Sequence, residues 1–455
     1  MKQSNALIVG VSGIRGILGA GMNPEIAVRF SAAFASRLRE GLVVVGRDTR
    51  PSGRFLIRAV SSALQFGGLS VVDLGISSTP TVELMVQELG ASGGVIISAS
   101  HNGPEWNALK FLNSGGEFLS AQEMEELRGL ADSGEPLFSE PVEFGALSED
   151  ATGDAVHIRR ILELPLIDRE RIADARFRAV VDCVNGAGSR IVPALLKSVG
   201  VTVVELFTDT GGAFPHDPEP RPENLIELSE AVKNEKADIG FACDPDADRL
   251  VLVDEEGTVC TEELTLAITA DFILSREKGP LVANMSTSRL IDDVGSKHHV
   301  PVHRSKVGEA HVIGLMKETG AVIGGEGNGG VIYPSLHYGR DAMVGMVLVL
   351  QALAEEGVTL KTRVSSLPEY HIVKEKIASD TDLTGIEERF KNHFRGSSNT
   401  LDGIRIDMDN GWIHLRSSNT EPVVRIIAEA RSLDEARRYI DDAYKMLKTC
   451  DETAL

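Results

Sequence analysis

The chain has 455 residues, of which 42% are hydrophobic and 25% charged, and this composition is that of a globular protein with three or four domains of ordinary size. Its formal net charge of -21 argues against nucleic-acid binding, because a phosphate backbone requires a basic surface. The sequence has no run of roughly 20 apolar residues and no signal-peptide core, so we expect a cytoplasmic protein without a membrane span. An anionic substrate would need a local cluster of arginine, lysine or metal.

Apolar segments that end in Gly, Asp, Ser or Asn alternate with helical patterns through the first 370 residues. Such continuous runs predict strands covered on both faces, as in the parallel or mixed sheets of α/β domains. In chain order they are GLVVVGRD, LSVVDLG, GGVIISAS, FRAVVDCVNGAG, VTVVELF, ADIGFACD, PLVANMS and AVIGGEG. The segment AMVGMVLVLQALA predicts a buried helix. After about residue 370, IRIDMDNGWIHLRSS, PVVRIIAEA and a final helix in SLDEARRYIDDAYKMLKT predict a smaller α+β domain.

Polar stretches near residues 150, 257 and 370 are the expected domain boundaries. They read GALSEDATGDA, DEEGTVCTEE and SSLPEYHIVKEK. We therefore expect α/β domains over residues 1–150, 151–256 and 257–370, and an α+β domain over 371–455. Because ligand sites of α/β proteins gather at the carboxyl ends of strands, the loops after predicted strands are the candidate functional segments.

The first candidate loop lies between two predicted strands in VIISASHNGPEWNALKFL, residues 95–112. It carries Ser100, His101 and Lys110 on a short segment flanked by core residues. We interpret it as a catalytic loop.

The second loop, in FACDPDADRLVLVD, carries Asp244, Asp246 and Asp248 at alternate positions after a buried strand. Three carboxylates so spaced can converge on one hard cation, which prefers oxygen ligands. An EF-hand is excluded, since its sixth position would be Arg249 instead of glycine and LVLVD reads as a strand. The alternative is a solvated acidic turn; we favour a site for Mg²⁺ with a substrate phosphate completing the coordination.

The third loop is GGEGNGG, in which Glu326 and Asn328 offer an acceptor and a donor suited to sugar hydroxyls. Glycines such as Gly325 let the backbone approach a ligand closely, although a purely structural glycine turn is equally compatible.

The fourth loop, LRSSNTEPVVRI, combines arginine with hydroxyl and amide donors, which form an anion-binding turn in many proteins. A capped turn is the alternative. The candidate phosphate contacts are Arg416, Ser418, Asn419, Thr420 and Arg425.

Two N-terminal segments carry further cations. GVSGIRGILG places Arg15 between glycines, yet neither the GxGxxG fingerprint nor a GxxxxGK[ST] loop occurs in the sequence, so nucleotide binding is disfavoured. In GRDTRPSGR, we expect Arg47, Asp48 and Arg50 to form mainly internal salt bridges.

Taken in order, SASHNGPEWNALK, DPDADR, GGEGNGG and RSSNTEP resemble the four active-site loops of the α-D-phosphohexomutase family, which includes phosphoglucomutases, phosphomannomutases and phosphoglucosamine mutases. SGIRG, VVDCVNGAG and FPHDPEPRPENL extend the resemblance over nearly the full length. It implies three α/β domains of shared topology with mixed sheets, and a C-terminal α+β domain like those of TATA-binding proteins. Each domain would contribute one loop to a central cleft.

The resemblance also implies an activity, the interconversion of hexose 6-phosphate and hexose 1-phosphate through a hexose 1,6-bisphosphate, which also serves as primer. It implies a covalent phosphate on Ser100, a general acid/base at Lys110, and Mg²⁺ bound by Ser100 and the three aspartates. Glu326 would contact the sugar, and Arg416 with its neighbours would hold the distal phosphate. Lys110 could accept a proton if nearby cations such as Arg249 lower its pKa. We group His101 with these catalytic candidates and Arg15 with the phosphate contacts.

Among the departures of the chain from the family pattern, two replace a histidine. Gly330 stands where a GEMSGH-type loop has histidine, and Glu309 stands where some relatives have another. His337 is the favoured substitute over the other nearby histidines, His303 and His311, and Lys306 and Arg340 are further candidate cations.

The loop GEGNGG with GRDA downstream looks most like the archaeal-type branch of the family. We favour glucosamine phosphate as the substrate and keep mannose and glucose phosphates as the alternative, because one Glu and one Asn cannot separate these sugars. A metal-dependent phosphatase would leave Ser100 and the distal phosphate site without a purpose. A non-catalytic sugar-phosphate binding protein is the remaining alternative. The sequence leaves monomer and dimer open.

Overall fold

The computed structural model describes residues 7–10, 13–133, 138, 143–378, 386–417 and 423–451, without the side chains of residues 378 and 448–451. Four sheets divide these residues into four domains in chain order. None of the described helices is both long and apolar enough to cross a membrane.

The first domain contains a seven-stranded mixed sheet. Its strands are β1 (Leu7–Gly10), β2 (Gly13–Ile17), β3 (Leu42–Arg47), β4 (Ser70–Ile76), β5 (Gly93–Ile97), β6 (Trp106–Leu112) and β7 (Leu147–Glu149), in the spatial order β1-β2-β6-β5-β3-β4-β7. Its helices are α1 (Pro24–Leu38), α2 (Gly53–Phe66), α3 (Thr79–Glu88) and α4 (Ala121–Asp132). In β3, Val43 and Val45 face one core with α1 and α2, while Val44 faces a second core with α3. Burial on both faces explains why this strand is continuously apolar.

The second domain has strands β8 (Arg178–Asp182), β9 (Thr202–Leu206), β10 (Ile239–Cys243) and β11 (Leu250–Val253), in the order β11-β10-β8-β9. Its helices are α5 (Gly153–Leu162), α6 (Arg169–Ala175), α7 (Gly188–Ser198) and α8 (Ile226–Glu235), with a 3₁₀ turn at Pro222–Asn224.

The third domain has strands β12 (Leu281–Asn284), β13 (Val302–Ser305), β14 (Ile323–Glu326) and β15 (Gly330–Ile332), in the order β13-β12-β14-β15. Its helices are α9 (Glu263–Arg276), α10 (Leu290–His298), α11 (Glu309–Thr319), α12 (Ala342–Glu356) and α13 (Leu360–Ser365). Helix α12 is apolar on all sides because it lies inside a core shared with the second domain, which confirms the buried helix predicted there.

The last domain is an antiparallel sheet in the order β16-β20-β19-β18-β17. Its elements are β16 (His371–Ala378), α14 (Ile386–Phe394), β17 (Ser397–Asn399), β18 (Ile404–Met408), β19 (Gly411–Ser417), β20 (Val423–Ala430) and α15 (Leu433–Asp451). The predicted change to a smaller α+β domain is confirmed.

The first three domains share one strand topology, as expected. A central strand (β3, β8 or β12) pairs in parallel with its two successors, and the third strand of each set pairs antiparallel with the fourth. Each candidate loop therefore joins two antiparallel neighbours, and the fourth loop likewise lies between β19 and β20. The repeated connection places four loops of related geometry at the ends of four sheets.

Candidate active site

The serine loop, residues 98–105 between β5 and β6, holds Ser100 in a strained conformation. Its φ of 50° lies in the left-handed region, which non-glycine residues rarely adopt. The N–H of Ser100 donates to Ser98 Oγ at 3.0 Å, and Arg50 donates to the Ser100 carbonyl at 2.8 Å. Arg50 is itself buried and ion-paired with Asp48, as expected for that segment. Strain that the surroundings enforce is typical of functional sites.

The hydroxyl of Ser100 is aimed at the aspartate loop, residues 244–249 between β10 and β11. Ser100 Oγ donates to Asp244 Oδ2 at 2.6 Å, and His101 Nδ1 lies 3.3 Å from the same hydroxyl oxygen. Burial, followed by the charges of Arg249 and Arg15, holds the pKa of His101 well below its usual value, so this ring is neutral at pH 7.

The three aspartates form one buried cluster, and one carboxylate oxygen from each lies within 4.8 Å of the others. Asp246 Oδ2 accepts hydrogen bonds from Lys110 Nζ at 2.5 Å and Thr79 Oγ1 at 2.8 Å. Asp248 Oδ2 accepts one from Arg340 at 2.5 Å. Among the described residues, the other oxygens of Asp246 and Asp248 have no hydrogen-bond partner although both are buried.

These orphaned oxygens fit a divalent cation. Burial, and then the neighbouring carboxylates Asp248 and Asp246, raise the pKa of Asp244 well above its usual value. Three ionised carboxylates this close are stabilised when a hard cation binds among them, and Mg²⁺ prefers such oxygen ligands. The chemistry of the donor set therefore matches the predicted Mg²⁺ site.

The aspartate loop controls the pKa of Lys110. Burial alone would lower its pKa, but Asp246 and Asp248 outweigh burial and raise the pKa above its usual value. A pKa lowered by neighbouring cations was the condition for Lys110 to accept a proton, and Arg340 acts in that direction without prevailing. Lys110 is thus a charged ammonium group held by the aspartate loop.

The glutamate loop, residues 326–330 between β14 and β15, holds a well-anchored carboxylate. Glu326 accepts hydrogen bonds from Asn284 at 2.8 Å, from the N–H of Gly308 at 3.0 Å and from Arg340 at 2.8 Å. Burial raises its pKa, yet Arg340 and Asn284 outweigh burial and lower the pKa below its usual value, so Glu326 is ionised. The amide of Asn328 lies 3.4 Å from it.

Gly325 has a packing role in the structure. A Cβ there would lie 2.2 Å from the carbonyl oxygen of Gly330 on the adjacent strand β15. This close approach explains why residue 325 is glycine, and no bound ligand is needed for the explanation.

The fourth loop is described only at its two ends, because Ser418, Asn419 and Thr420 lie outside the described residues. Arg416 and Arg425 face each other directly in the register of β19 and β20. Two guanidinium groups on neighbouring strands suit the binding of an anion such as phosphate. Burial is the main cause that lowers the pKa of Arg416 and Arg425 adds to it, while Asp402 and Glu326 act in the opposite direction.

Arg15 lies beside the serine loop, with its guanidinium 2.5 Å from the side-chain oxygen of Asn102. Burial, and then Arg249, lower the pKa of Arg15 to about 10. Arg249 lies 3.9 Å from Asp244 and 3.8 Å from Asp248. Arg15 and Arg249 therefore supply the local positive charge that the net charge of the chain does not.

Among the described residues, His337 and Lys306 make no hydrogen bond or ion pair with the aspartate loop or the glutamate loop. His337 is buried against Asp341 at 3.2 Å, and its other ring nitrogen lies 3.6 Å from Glu83. The same Asp341 oxygen pairs with His157 at 2.8 Å. Lys306 is exposed just after β13. Arg340, in contrast, contacts both the aspartate and the glutamate loops.

Three residues near the site were not assigned to it from the sequence. Thr79, at the start of α3, contacts Asp246 through its hydroxyl and through its N–H, which donates to the Asp246 carbonyl at 2.9 Å. Arg50 fixes the serine loop, and Glu83 is buried close to His337. The polar residues that follow β4 were a usable signal for Thr79, since they also lie at the carboxyl end of a parallel strand.

Comparison with known proteins identifies the family. The chain matches the models of the phosphoglucomutase/phosphomannomutase family for alpha/beta/alpha domain I at residues 6–137, domain II at 155–257, domain III at 262–370 and the C-terminal domain at 372–446. It therefore belongs to this family, whose members are phosphohexomutases.

Individual relatives agree over nearly the whole length. The chain is 37% identical over 451 residues to a Methanopyrus kandleri protein named "Probable phosphoglucosamine mutase", covering 97% of this chain and 98% of the relative. It is 37% identical over 453 residues to a Thermococcus kodakarensis "Phosphoglucomutase/phosphomannomutase", with the same coverage. A crystal structure of a phosphoglucomutase/phosphomannomutase family protein from Burkholderia thailandensis superposes with a TM-score of 0.84 at 27% identity, covering 98% of this chain and 97% of that one.

Proposed function

We propose that this chain interconverts hexose 6-phosphate and hexose 1-phosphate through a phosphoserine at Ser100 and a hexose 1,6-bisphosphate, which also serves as primer. The hydrogen bond from Ser100 Oγ to Asp244 carries the proposal, because it sets a strained serine hydroxyl against a buried carboxylate cluster. Family membership supports the reaction class.

Mg²⁺ is the proposed cofactor, with Ser100 and the three aspartates as its ligands. When bound, the ion would neutralise charge on the transferring phosphoryl group and offset the carboxylates that raise the pKa of Lys110.

The proposed reaction has two half-reactions at one serine. A sugar hydroxyl attacks the phosphorus on Ser100, the bond to Ser100 Oγ breaks, and the hydroxyl proton passes to a base. Lys110 is the candidate for this base and would accept the proton in its neutral form. The bisphosphate then reorients end over end in the site. The Ser100 oxygen attacks its other phosphate, and the proton returns to the sugar oxygen that leaves. Neutral His101, beside Ser100 Oγ, would orient the hydroxyl.

The remaining loops would bind and orient the sugar phosphate. Ionised Glu326 would accept hydrogen bonds from sugar hydroxyls, with Asn328 as a donor. Arg416 and Arg425 would hold the phosphate that is not reacting, with Arg15 adding positive charge near Ser100. Because the same site would hold the C1 and the C6 phosphate in turn, its loss should weaken both half-reactions.

Glucosamine phosphate is the proposed substrate, and the printed name of the Methanopyrus kandleri relative supports it. Mannose and glucose phosphates are the second candidate, which the name of the Thermococcus kodakarensis relative favours. A cytoplasmic location and a monomeric or dimeric state stay predictions.

A coupled mutase assay tests the proposal. It would supply Mg²⁺ and the matching 1,6-bisphosphate to glucose, mannose, glucosamine and N-acetylglucosamine phosphates. Turnover of one sugar that vanishes in Ser100→Ala and persists in Ser61→Ala, a buried serine of α2, is the expected result. No turnover of any sugar, or equal activity in Ser100→Ala, would contradict it.

A further inference from the structure

Arg340 joins the aspartate loop to the glutamate loop. It lies just before α12, is 8% exposed, and donates to carboxylates of three separate elements. Its terminal nitrogens reach Asp248 at 2.5 Å and Glu326 at 2.8 Å, and its Nε reaches Glu309, at the start of α11, at 3.0 Å. The backbone N–H of Arg340 donates to the second oxygen of Glu309, also at 3.0 Å.

The backbone at Gly330 leaves room for this side chain. A Cβ at Gly330 would lie 2.3 Å from Cδ of Arg340 and 2.9 Å from Cγ, which is closer than real Cβ contacts. Gly330 does not have a positive φ, so its conformation does not require glycine. The space for Arg340 does require it.

We propose that Arg340 is a positioning residue that fixes the distance between the Asp248 carboxylate and the Glu326 carboxylate, with Glu309 and Gly330 fixing Arg340 in turn. Its role in turnover rests on the proposed function. In that reaction Asp248 would help to hold the Mg²⁺ that neutralises the phosphoryl group, and Glu326 would bind the sugar. Arg340 therefore accounts for the two positions where the chain lacks a family histidine: Glu309 accepts its hydrogen bonds, and Gly330 leaves space for its side chain.

The geometry distinguishes positioning from charge alone. A guanidinium group is planar and donates in fixed directions, so it can span three acceptors at once. A lysine ammonium group carries the same charge on one atom and cannot reach Asp248, Glu326 and Glu309 together. Arg340→Lys therefore keeps the charge and removes the geometry.

The first test compares Arg340→Lys with Arg363→Lys, a buried arginine paired with Asp271 and Glu356 outside the site. The expected result is a fall in kcat of about 10 to 100-fold in Arg340→Lys, because a misplacement of about 1 Å costs up to that much, with KM changed less than kcat. Rates are taken per folded protein, with the folded fraction measured by circular dichroism at the assay temperature. Arg363→Lys should stay within about twofold on this scale. A kcat within twofold of wild type in Arg340→Lys would overturn the proposal.

The second test leaves every charge in place, so it remains informative if an Arg340 variant does not fold. Gly330→Ala should displace Arg340 and lower kcat at least about 10-fold, whereas Gly314→Ala, with open space around its Cα in α11, should not. Unchanged kcat in Gly330→Ala would overturn the proposal.

Thermal unfolding separates this proposal from the mutase assignment. Gly330→Ala should lower Tm by about 2–4 °C in the wild-type background and have a smaller effect beside Arg340→Ala, since the clash is then gone. Equal effects of Gly330→Ala in both backgrounds would overturn the proposal. The mutase assignment itself would fail if the wild-type protein turned over none of the four sugars. The unfolding result tests the packing of Arg340 against Gly330 whether or not the mutase assignment is correct.

Discussion

Ser100 and Asp244 are joined by a hydrogen bond of 2.6 Å, although they lie 144 residues apart and follow strands of different sheets. Thr79 of the first domain also donates twice to Asp246 of the second. The relative placement of two domains thus sets the distance between the serine hydroxyl and the carboxylate cluster. Under the proposed function, the mutase rate should depend on the serine oxygen, whereas the backbone strain at Ser100 should affect the stability of the fold.

Ser100→Gly and Ser100→Ala should separate activity from stability. Both remove the hydroxyl, and each should lower mutase kcat by about 10³-fold or more. Glycine adopts a φ of 50° without the steric cost that alanine bears, so Ser100→Gly should be about 1 kcal/mol more stable than Ser100→Ala. Urea unfolding of the two variants measures the difference, and equal stability would show that the strain at this residue is negligible.

Mg²⁺ should stabilise the wild-type chain against unfolding. Binding at 100 times the dissociation constant adds about 2.7 kcal/mol to the free energy of unfolding. Asp248→Asn should largely abolish the rise in Tm, because it removes one of the carboxylates that would hold the ion. Asp182→Asn is the matched control, since Asp182 is equally buried but pairs with His216 outside the cluster. If Asp182→Asn and Asp248→Asn lose the Mg²⁺ response alike, the assigned site is wrong.

Arg416→Gln should raise KM for the 1-phosphate and the 6-phosphate alike. A charged hydrogen bond contributes about 1.5–3 kcal/mol, which corresponds to about 10 to 100-fold in KM. Steady-state kinetics in both directions measure the effect, with Arg431→Gln on the exposed surface of the same domain as control. A change in only one direction would contradict a shared phosphate site.

His414 should make the stability of the chain depend on pH. It is fully buried between the third and fourth domains, where its Nε2 donates to the Asp402 carbonyl at 2.6 Å and its Nδ1 lies 3.0 Å from Ser286 Oγ. Burial is the main cause that lowers the pKa of His414 to about 4, against 6.5 for the free side chain.

Between these two values the unfolded chain binds a proton that the folded chain does not, so the free energy of unfolding falls as pH decreases. The contribution lost from pH 7 to pH 5 is about 2 kcal/mol. His414→Gln lacks this titration, and the stability difference between wild type and His414→Gln should therefore shrink by that amount over the same range. A difference that stays constant with pH would refute the assignment. Urea unfolding at a series of pH values provides the measurement.

Much of the fold could be predicted from the sequence because its signals are local. The continuous apolar runs of β3, β8 and β10 report burial on both faces, and the apolar segment of α12 reports complete burial. The shared topology of three domains was not visible as a sequence repeat. It rests on the pairing order of strands, which many different apolar sequences satisfy.

The electrostatics of the site could not be predicted in the same way. The sequence left open whether neighbouring cations lower the pKa of Lys110. The pKa is raised, because Asp246, 136 residues later in the chain, lies 2.5 Å away, and local sequence does not show this contact. Arg340 stood among the lesser candidates, but it makes the contacts that link two loops, whereas His337 packs against Asp341 and Glu83.

The sequence by itself determined which groups the four loops carry, since their residue types and spacing limit the chemistry to a hydroxyl, a set of carboxylates and a set of arginines. Only the tertiary structure decided which of these groups touch. Ser100 meets Asp244, and Arg340 meets Asp248, across domain boundaries. The physical reason is that electrostatic and hydrogen-bond energies depend on distances of a few ångströms, which the packing of whole domains sets and local sequence does not.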